Sequence, residues 1–279
     1  MRRRILITGA SGRLGSAVVR LWRDTHDVIP FDLREPADPS DSFILGSISD
    51  PEAVTRAMAD ADTVVHCAAI PGTRKPYHSV IETNVMGTFH VLEAAGRNPR
   101  VERFIYISSV MYHGLSESPF TNRPLYLPID EDHPSLAMDY YACSKAQAEY
   151  WCRAYVRRFN KPLVAIRPPW IIGMDMEATF AAQPAAGVPH LNDYIGVTDL
   201  AGAMACAIDY EPPDGFDVFL VHAEDQRSTT RSMELAERHF PGVPLDRAWL
   251  EASGGFGSFI RYTHAAERLG WRPQFHCMR

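Results

Sequence analysis

The sequence contains no apolar run approaching the ~20 residues a bilayer-spanning helix needs. Its first hydrophobic stretch, Ile5 to Thr8, breaks at Gly9 before a secretory-signal core could form. No membrane association and no leader are expected. Cysteine is scarce: Cys67, Cys143, Cys152, Cys206 and Cys277 are odd in number and lack metal-site spacing. A disulfide framework and a metal centre are therefore not expected, and a reduced, cytoplasmic setting fits best. Positive charge is also short, with 28 Lys and Arg against 34 Asp and Glu and a formal net charge of -6. The one dense basic run, Arg2-Arg3-Arg4, leads straight into an apolar strand, so no nucleic-acid footprint is expected. Internal repeats and low-complexity tails are missing as well.

What is present is an ordinary globular composition, 46% hydrophobic over 279 residues, enough for one large domain or a domain with an appended lobe. The first half alternates short apolar runs with helical patterns. Strands are predicted at Ile5–Thr8, Val28–Asp32, within "SFILGSISD", at "DTVVHCAA", at "RFIYISS" and at "PLVAIRP". Helices are predicted at Leu14–Arg23, Pro51–Ala59, "IETNVMGTFHVLEAAGR" and "YYACSKAQAEYWCRAYVRRF". Such alternation implies an α/β fold with a doubly wound parallel sheet.

After Pro168 the pattern loosens. "EATFAAQPAAGVPHLNDY" is rich in Ala, Pro and Gly and reads as a short lobe. A helix at "VTDLAGAMACAIDY", a late strand at "DVFLVHA" and short helices at Met233–His239 and Ala265–Leu269 follow. The expectation is a core over residues 1–168 and a small substrate lobe over 169–279, interleaved with the last sheet elements.

The stretch "RILITGASGRLGSAVV" places Gly9, Gly12 and Gly15 between the first strand and the first helix. One reading is a plain tight turn. The other is a dinucleotide cradle: Gly9 for the sharp turn, Gly12 for approach of the pyrophosphate, Gly15 for close helix–sheet packing. Asp32 favours the second. It ends the second strand about 20 residues on, where a carboxylate accepts hydrogen bonds from the adenosine ribose and repels a 2′-phosphate. NAD is therefore expected over NADP, with Arg34 read as a solvated loop charge.

"TGASGRLG", "VVHCAA", "NVMGTFHVLEAA", "RFIYISS", "YACSK" and "RLGWRP" occur in that order. Together they resemble the extended short-chain dehydrogenase/reductases, the NAD-dependent epimerase/dehydratase group, over nearly the whole chain. The resemblance implies a Rossmann fold, NAD as cofactor, a homodimer, and a Ser, Tyr and Lys trio that falls on Ser109, Tyr141 and Lys145. Tyr141 and Lys145 share one helix face. A tyrosine of ordinary pKa about 10 is a poor base at neutral pH, so Lys145 and the positive nicotinamide would be needed to favour the phenolate.

The resemblance also implies that Ser11, Arg13, Leu14 and Pro168 join the glycines around the cofactor. Cys67, Ala68 and Ala69 would line the adenosine, and Asn84 would support cofactor and lysine. Ser47 and Ile48 stand where the family has Asp-Ile against adenine, which removes a carboxylate contact. His66, beside Cys67 in a strand, reads as core packing.

Departures narrow the reaction. Val110 and Met111 follow Ser109 where sugar-nucleotide dehydratases carry Asp-Glu, and neither can shuttle a proton. The segment "GMDMEATFAAQPAAGVPHLND" carries no Lys or Arg to grip a nucleotide diphosphate. The length resembles that of uronate dehydrogenases, but their Asn-His after the serine is replaced here. The expected function is an NAD-dependent dehydrogenase acting on a small non-nucleotide sugar, sugar acid or alcohol. A sugar epimerase or a non-catalytic NAD-binding sensor is the alternative. Tyr112 and His113, just past Ser109, are the expected substrate contacts; Arg74 and Lys75 read as solvated loop charges, with a carboxylate clamp as the alternative.

Overall fold

The computed structural model describes residues 2–36, 42–72, 75–115, 123–176 and 193–277. Nine strands are found among them, β1 (Arg4–Thr8), β2 (Asp27–Asp32), β3 (Ile44–Leu45), β4 (Thr63–His66), β5 (Arg103–Ile107), β6 (Leu163–Arg167), β7 (Trp170–Ile172), β8 (Tyr194–Gly196) and β9 (Phe216–Leu220). Seven of them form one sheet in the order β3-β2-β1-β4-β5-β6-β9, and every pair in it is parallel. This is the doubly wound Rossmann architecture. Chain order reverses between β1 and β4, which opens a crevice beyond the carboxyl ends of those strands.

Parallel strands buried on both faces must be apolar throughout, and here the period-two alternation sorts them. Ile5, Ile7, Val65, Ile105, Ile107 and Ile166 face α1 (Arg13–Trp22) and the helix of Val197–Ile208. Leu6, Val64, Phe104, Tyr106, Leu163 and Ala165 face α2 (Pro51–Ala57), α4 (Thr88–Arg97) and α5 (Tyr140–Phe159).

Several predicted elements take a different form. The third strand shrinks to Ile44–Leu45 at the sheet edge. The helix read over 81–97 is three segments: α3 (Tyr77–Ile81), a π-helical turn over Glu82–Gly87, and α4. The later helices are α6 (Val197–Ile208), α7 (Ser232–His239), α8 (Arg247–Gly255) and α9 (Thr263–Leu269). Neither α8 nor the parallel pair β7–β8 is read from the sequence. The late strand β9 joins the main sheet beside β6. Most of the Ala- and Pro-rich lobe, 177–192, and Arg74 lie outside the described residues.

Candidate active site

The turn between β1 and α1 needs its glycines for measurable reasons. Gly9 has φ +70°, and a Cβ there would stand 2.6 Å from the Ala68 nitrogen at the end of β4. A Cβ on Gly15 would stand 2.1 Å from the Gly9 carbonyl oxygen. Gly12 differs: its Cβ would meet only the Gly9 oxygen, at 3.1 Å, so the space above it is otherwise open. Gly12 also caps α1, which has no side-chain cap and no acid in its first turn. Among the described residues no side chain caps that helix start, and a phosphate fits its free N–H groups. Leu14 is buried beneath the turn, while exposed Arg13 donates to the Ile171 carbonyl at 3.1 Å.

Asp32 is tied to this turn. Its Oδ2 accepts from the Ser11 amide and its Oδ1 from the Arg34 amide, each at 3.0 Å. The Ser11 hydroxyl donates to the Arg34 carbonyl. On the neighbouring rim, Cys67, Ala68 and Ala69 leave β4 half-buried. Burial pushes the Cys67 thiol up to about 12, which makes it inert. Ile48 is buried against the π-helical turn, where a Cβ on Gly87 would meet its Cδ1 at 2.7 Å. The Ser47 hydroxyl accepts from the Ser49 amide. His66 is a core residue as read: its nitrogens meet Thr8 Oγ1 at 2.6 Å and Thr88 Oγ1 at 2.9 Å.

Across the switch point, Ser109 ends the run from β5 and caps the 3-10 turn Val110–His113, accepting from the Met111 amide. Tyr141 and Lys145 stand one turn apart on α5, which Asp139 caps through the Ala142 amide at 2.8 Å. Ser109 stands near enough to the Tyr141 phenol to favour its phenolate. Lys145 Nζ lies 5.9 Å from the centre of the Tyr141 ring and donates to the Ile107 carbonyl at 2.8 Å. The glycine turn and these three side chains therefore open on one edge of one sheet.

The sequence pattern of the NAD dependent epimerase/dehydratase family matches residues 5–218. The chain belongs to that family. It is 30% identical to an L-arabinose 1-dehydrogenase (NAD(P)(+)) of Haloferax volcanii, over 82% of this chain and 93% of that one. It is 25% identical to a uronate dehydrogenase of Pseudomonas syringae pv. tomato, over 91% and 95% of the two chains. A short-chain dehydrogenase/reductase superfamily protein of Agrobacterium tumefaciens, solved with bound NAD, superposes with a TM-score of 0.75 at 21% identity. That match covers 98% of this chain and 93% of the other.

Burial pushes Tyr141 up to about 12, and the Asp139 carboxylate adds to that rise. In the chain alone Ser109 opposes the effect of burial on Tyr141. Burial brings Lys145 itself down to about 8, against the opposing influence of Cys67, Glu149 and Cys152.

Asn84 sits in the π-helical turn, and its side chain clamps the Ile70 backbone from both sides, at 2.8 and 3.0 Å. Its amide also donates to Ser144 Oγ at 3.1 Å. Asn84 thus reaches α5 at Ser144, the residue before Lys145. Pro168 is buried, and its carbonyl accepts from the Val110 amide beside Ser109.

His113 is corrected as a substrate contact. It is 1% exposed, with Nε2 3.2 Å from an Arg167 nitrogen and Nδ1 3.1 Å from the His133 carbonyl. A guanidinium only donates, so Nε2 accepts and Nδ1 carries the proton. Half-buried Tyr112 lies beneath Arg167, whose guanidinium carbon is 3.6 Å from the ring centre. Of the suggested clamp, Lys75 contributes its backbone carbonyl to the Tyr140 hydroxyl.

The sequence reading missed Glu149 and Arg167, which form a bidentate ion pair at 2.9 and 2.7 Å behind the site. A signal existed. Tyr141, Lys145 and Glu149 are spaced by four and share a helix face.

Proposed function

We propose that this chain is an NAD-dependent dehydrogenase that exchanges a hydride with a carbinol carbon of a small, non-nucleotide sugar or sugar acid. The observation that carries this reading is the gathering of Ser109, Tyr141 and Lys145, with Lys145 Nζ 5.9 Å from the Tyr141 ring, on the same sheet edge as the glycine turn. Relatives named as L-arabinose and uronate dehydrogenases, of nearly this length, support the substrate class.

The cradle fits NAD: open space over Gly12, the uncapped start of α1 and the Asp32 carboxylate suit a pyrophosphate and a ribose diol. Gly9, Ser11, Gly12, Arg13, Leu14, Gly15 and Asp32 would hold that end. Ser47, Ile48, Cys67, Ala68 and Ala69 would flank the adenosine. When bound, NAD supplies the hydride acceptor. For the chain's own part, Ser109 holds the substrate oxygen, Tyr141 as phenolate takes its proton, and Lys145 supports the ribose and the phenolate. Asp32 favours NAD over NADP.

Assembly and location belong to the same reading. An apolar groove of about 410 Å³ runs between the π-helical turn and α5, lined by Ile81, Val85, Met86, Phe89 and Trp151 among others. This is the face on which we place a two-fold homodimer, joined through four helices. All five cysteines are free thiols, which suits the cytoplasm. Among the described residues no helix is long and apolar enough to cross a membrane.

The test is to incubate purified protein and NAD with sugars, sugar acids and small alcohols and follow the absorbance of reduced cofactor. Net reduction with one class identifies a dehydrogenase. Interconversion of sugar epimers without net reduction would replace this reading with that of an epimerase.

A further inference from the structure

The turn that carries Ser109 is gripped from behind. Ser108, its immediate neighbour, donates from Oγ to Glu149 Oε1 at 2.5 Å. Glu149 is held in turn by Arg167, whose Nε reaches Oε1 at 2.9 Å and whose Nη2 reaches Oε2 at 2.7 Å. The pair is closed off from water, with side chains 2% and 1% exposed. The other guanidinium nitrogen donates to His113 Nε2, and the flat of the guanidinium lies on Tyr112. Both ends of the turn that begins at Ser109 therefore lead to one buried ion pair.

Glu149 stands on α5 four residues after Lys145 and eight after Tyr141, so it faces the same way. One rigid helix thus presents the phenol, the ammonium and the anchor for the serine opposite them. A water or an apolar contact could fill the space equally well. It could not fix the distance between a strand end and a helix with directional, charge-assisted bonds.

We propose that Glu149 is a positioning residue for the reaction: its carboxylate, shared between Ser108 and Arg167, sets where the Ser109 hydroxyl stands relative to Tyr141. The proposal rests on the reading of Ser109 and Tyr141 as the groups that handle the substrate oxygen. Glu149 touches neither substrate nor cofactor and acts through Ser108.

The test variant is Ser108→Ala, because it releases the strand end while leaving the Glu149–Arg167 pair intact. Glu149→Gln would leave Arg167 buried without its counter-charge and would risk unfolding. Misplacing a reacting group by about 1 Å can cost ~100-fold in rate, so Ser108→Ala is expected to lower kcat at least ~10-fold. NAD affinity, measured by fluorescence titration, and Tm should stay near wild type. Because Ser108 acts through Ser109, the same substitution made in Ser109→Ala should cost much less than in wild type. An unchanged kcat, or a loss that persists undiminished in the Ser109→Ala background, overturns the proposal. Tyr141→Phe is measured in parallel. If that variant turns over normally, the reading of the site has failed; if it is inactive and Ser108→Ala is normal, only the positioning role has failed.

Discussion

The Ser11 backbone amide donates to Asp32 Oδ2 across 3.0 Å, so the carboxylate at the end of β2 and the glycine turn after β1 are one hydrogen-bonded unit. The other carboxylate oxygen accepts from Arg34. Both bonds hold the negative charge at the rim where a ribose would lie.

Asp32→Ala should therefore do two things at once. It removes the charge that repels a 2′-phosphate, and it frees the Ser11 amide to meet one. The ratio of NADP to NAD affinity should rise by tenfold or more, read by titration of both cofactors. Tighter binding of NADP than NAD by the wild-type chain would refute this role of Asp32.

Tyr141→Phe keeps the ring and deletes the phenol oxygen beside Ser109. General base catalysis is worth ~10²–10⁴-fold, so kcat on a confirmed substrate should fall by at least ~10²-fold with NAD affinity nearly intact. Lys145→Ala should damage both quantities. Near-normal turnover in Tyr141→Phe would mean that another group carries the proton.

Lys145 has a stability consequence with a definite sign. Its ordinary pKa is 10.5, and burial brings it down to about 8 in the fold. Below about pH 8 the fold must keep a buried ammonium that the unfolded chain keeps in water. That penalty is full there and is relieved as pH rises from about 8 to about 10.5. Lys145→Met should accordingly raise Tm at neutral pH, offset in part by the lost bond to Ile107, while abolishing activity. The gain should shrink above about pH 10. A Tm below wild type at neutral pH would show that the Ile107 bond outweighs the buried charge.

The apolar groove between the π-helical turn and α5 bears on solution state. Met86 is 48% exposed and Tyr150 60%, a degree of apolar exposure that a contiguous interface would cover. Light scattering at micromolar concentration should give the mass of two chains, and Met86→Glu should shift it to one. A monomeric wild type would exclude this face as a dimer contact.

How much of this was legible in the sequence depended on the range of the forces involved. Ile5–Thr8, Thr63–His66 and Arg103–Ile107 announce themselves because a buried parallel strand reads as a near-continuous apolar run. The glycines are legible because their replacements would collide with backbone atoms a few residues or one strand away. The π-helical turn at Glu82–Gly87 is not, since one extra residue per turn leaves the 3.6-residue pattern around it nearly unchanged. His113 was misread because its fate depends on Arg167, 54 residues away. The strands β7 and β8, three residues each, carry too little pattern to stand out beside Pro168 and Pro169.

The parallel sheet has a second edge, and it is fringed with ion pairs. Arg3 meets Asp209 at 3.0 Å, Arg4 meets Asp60 at 3.5 Å, and Arg103 pairs with Glu211, all at the amino ends of the strands or the loops beside them. Because every strand of the main sheet runs the same way, nothing in the proposed chemistry visits that fringe. Attachment points for tethering the protein to an electrode or a bead belong there, where a linker would leave the cofactor mouth facing the solution.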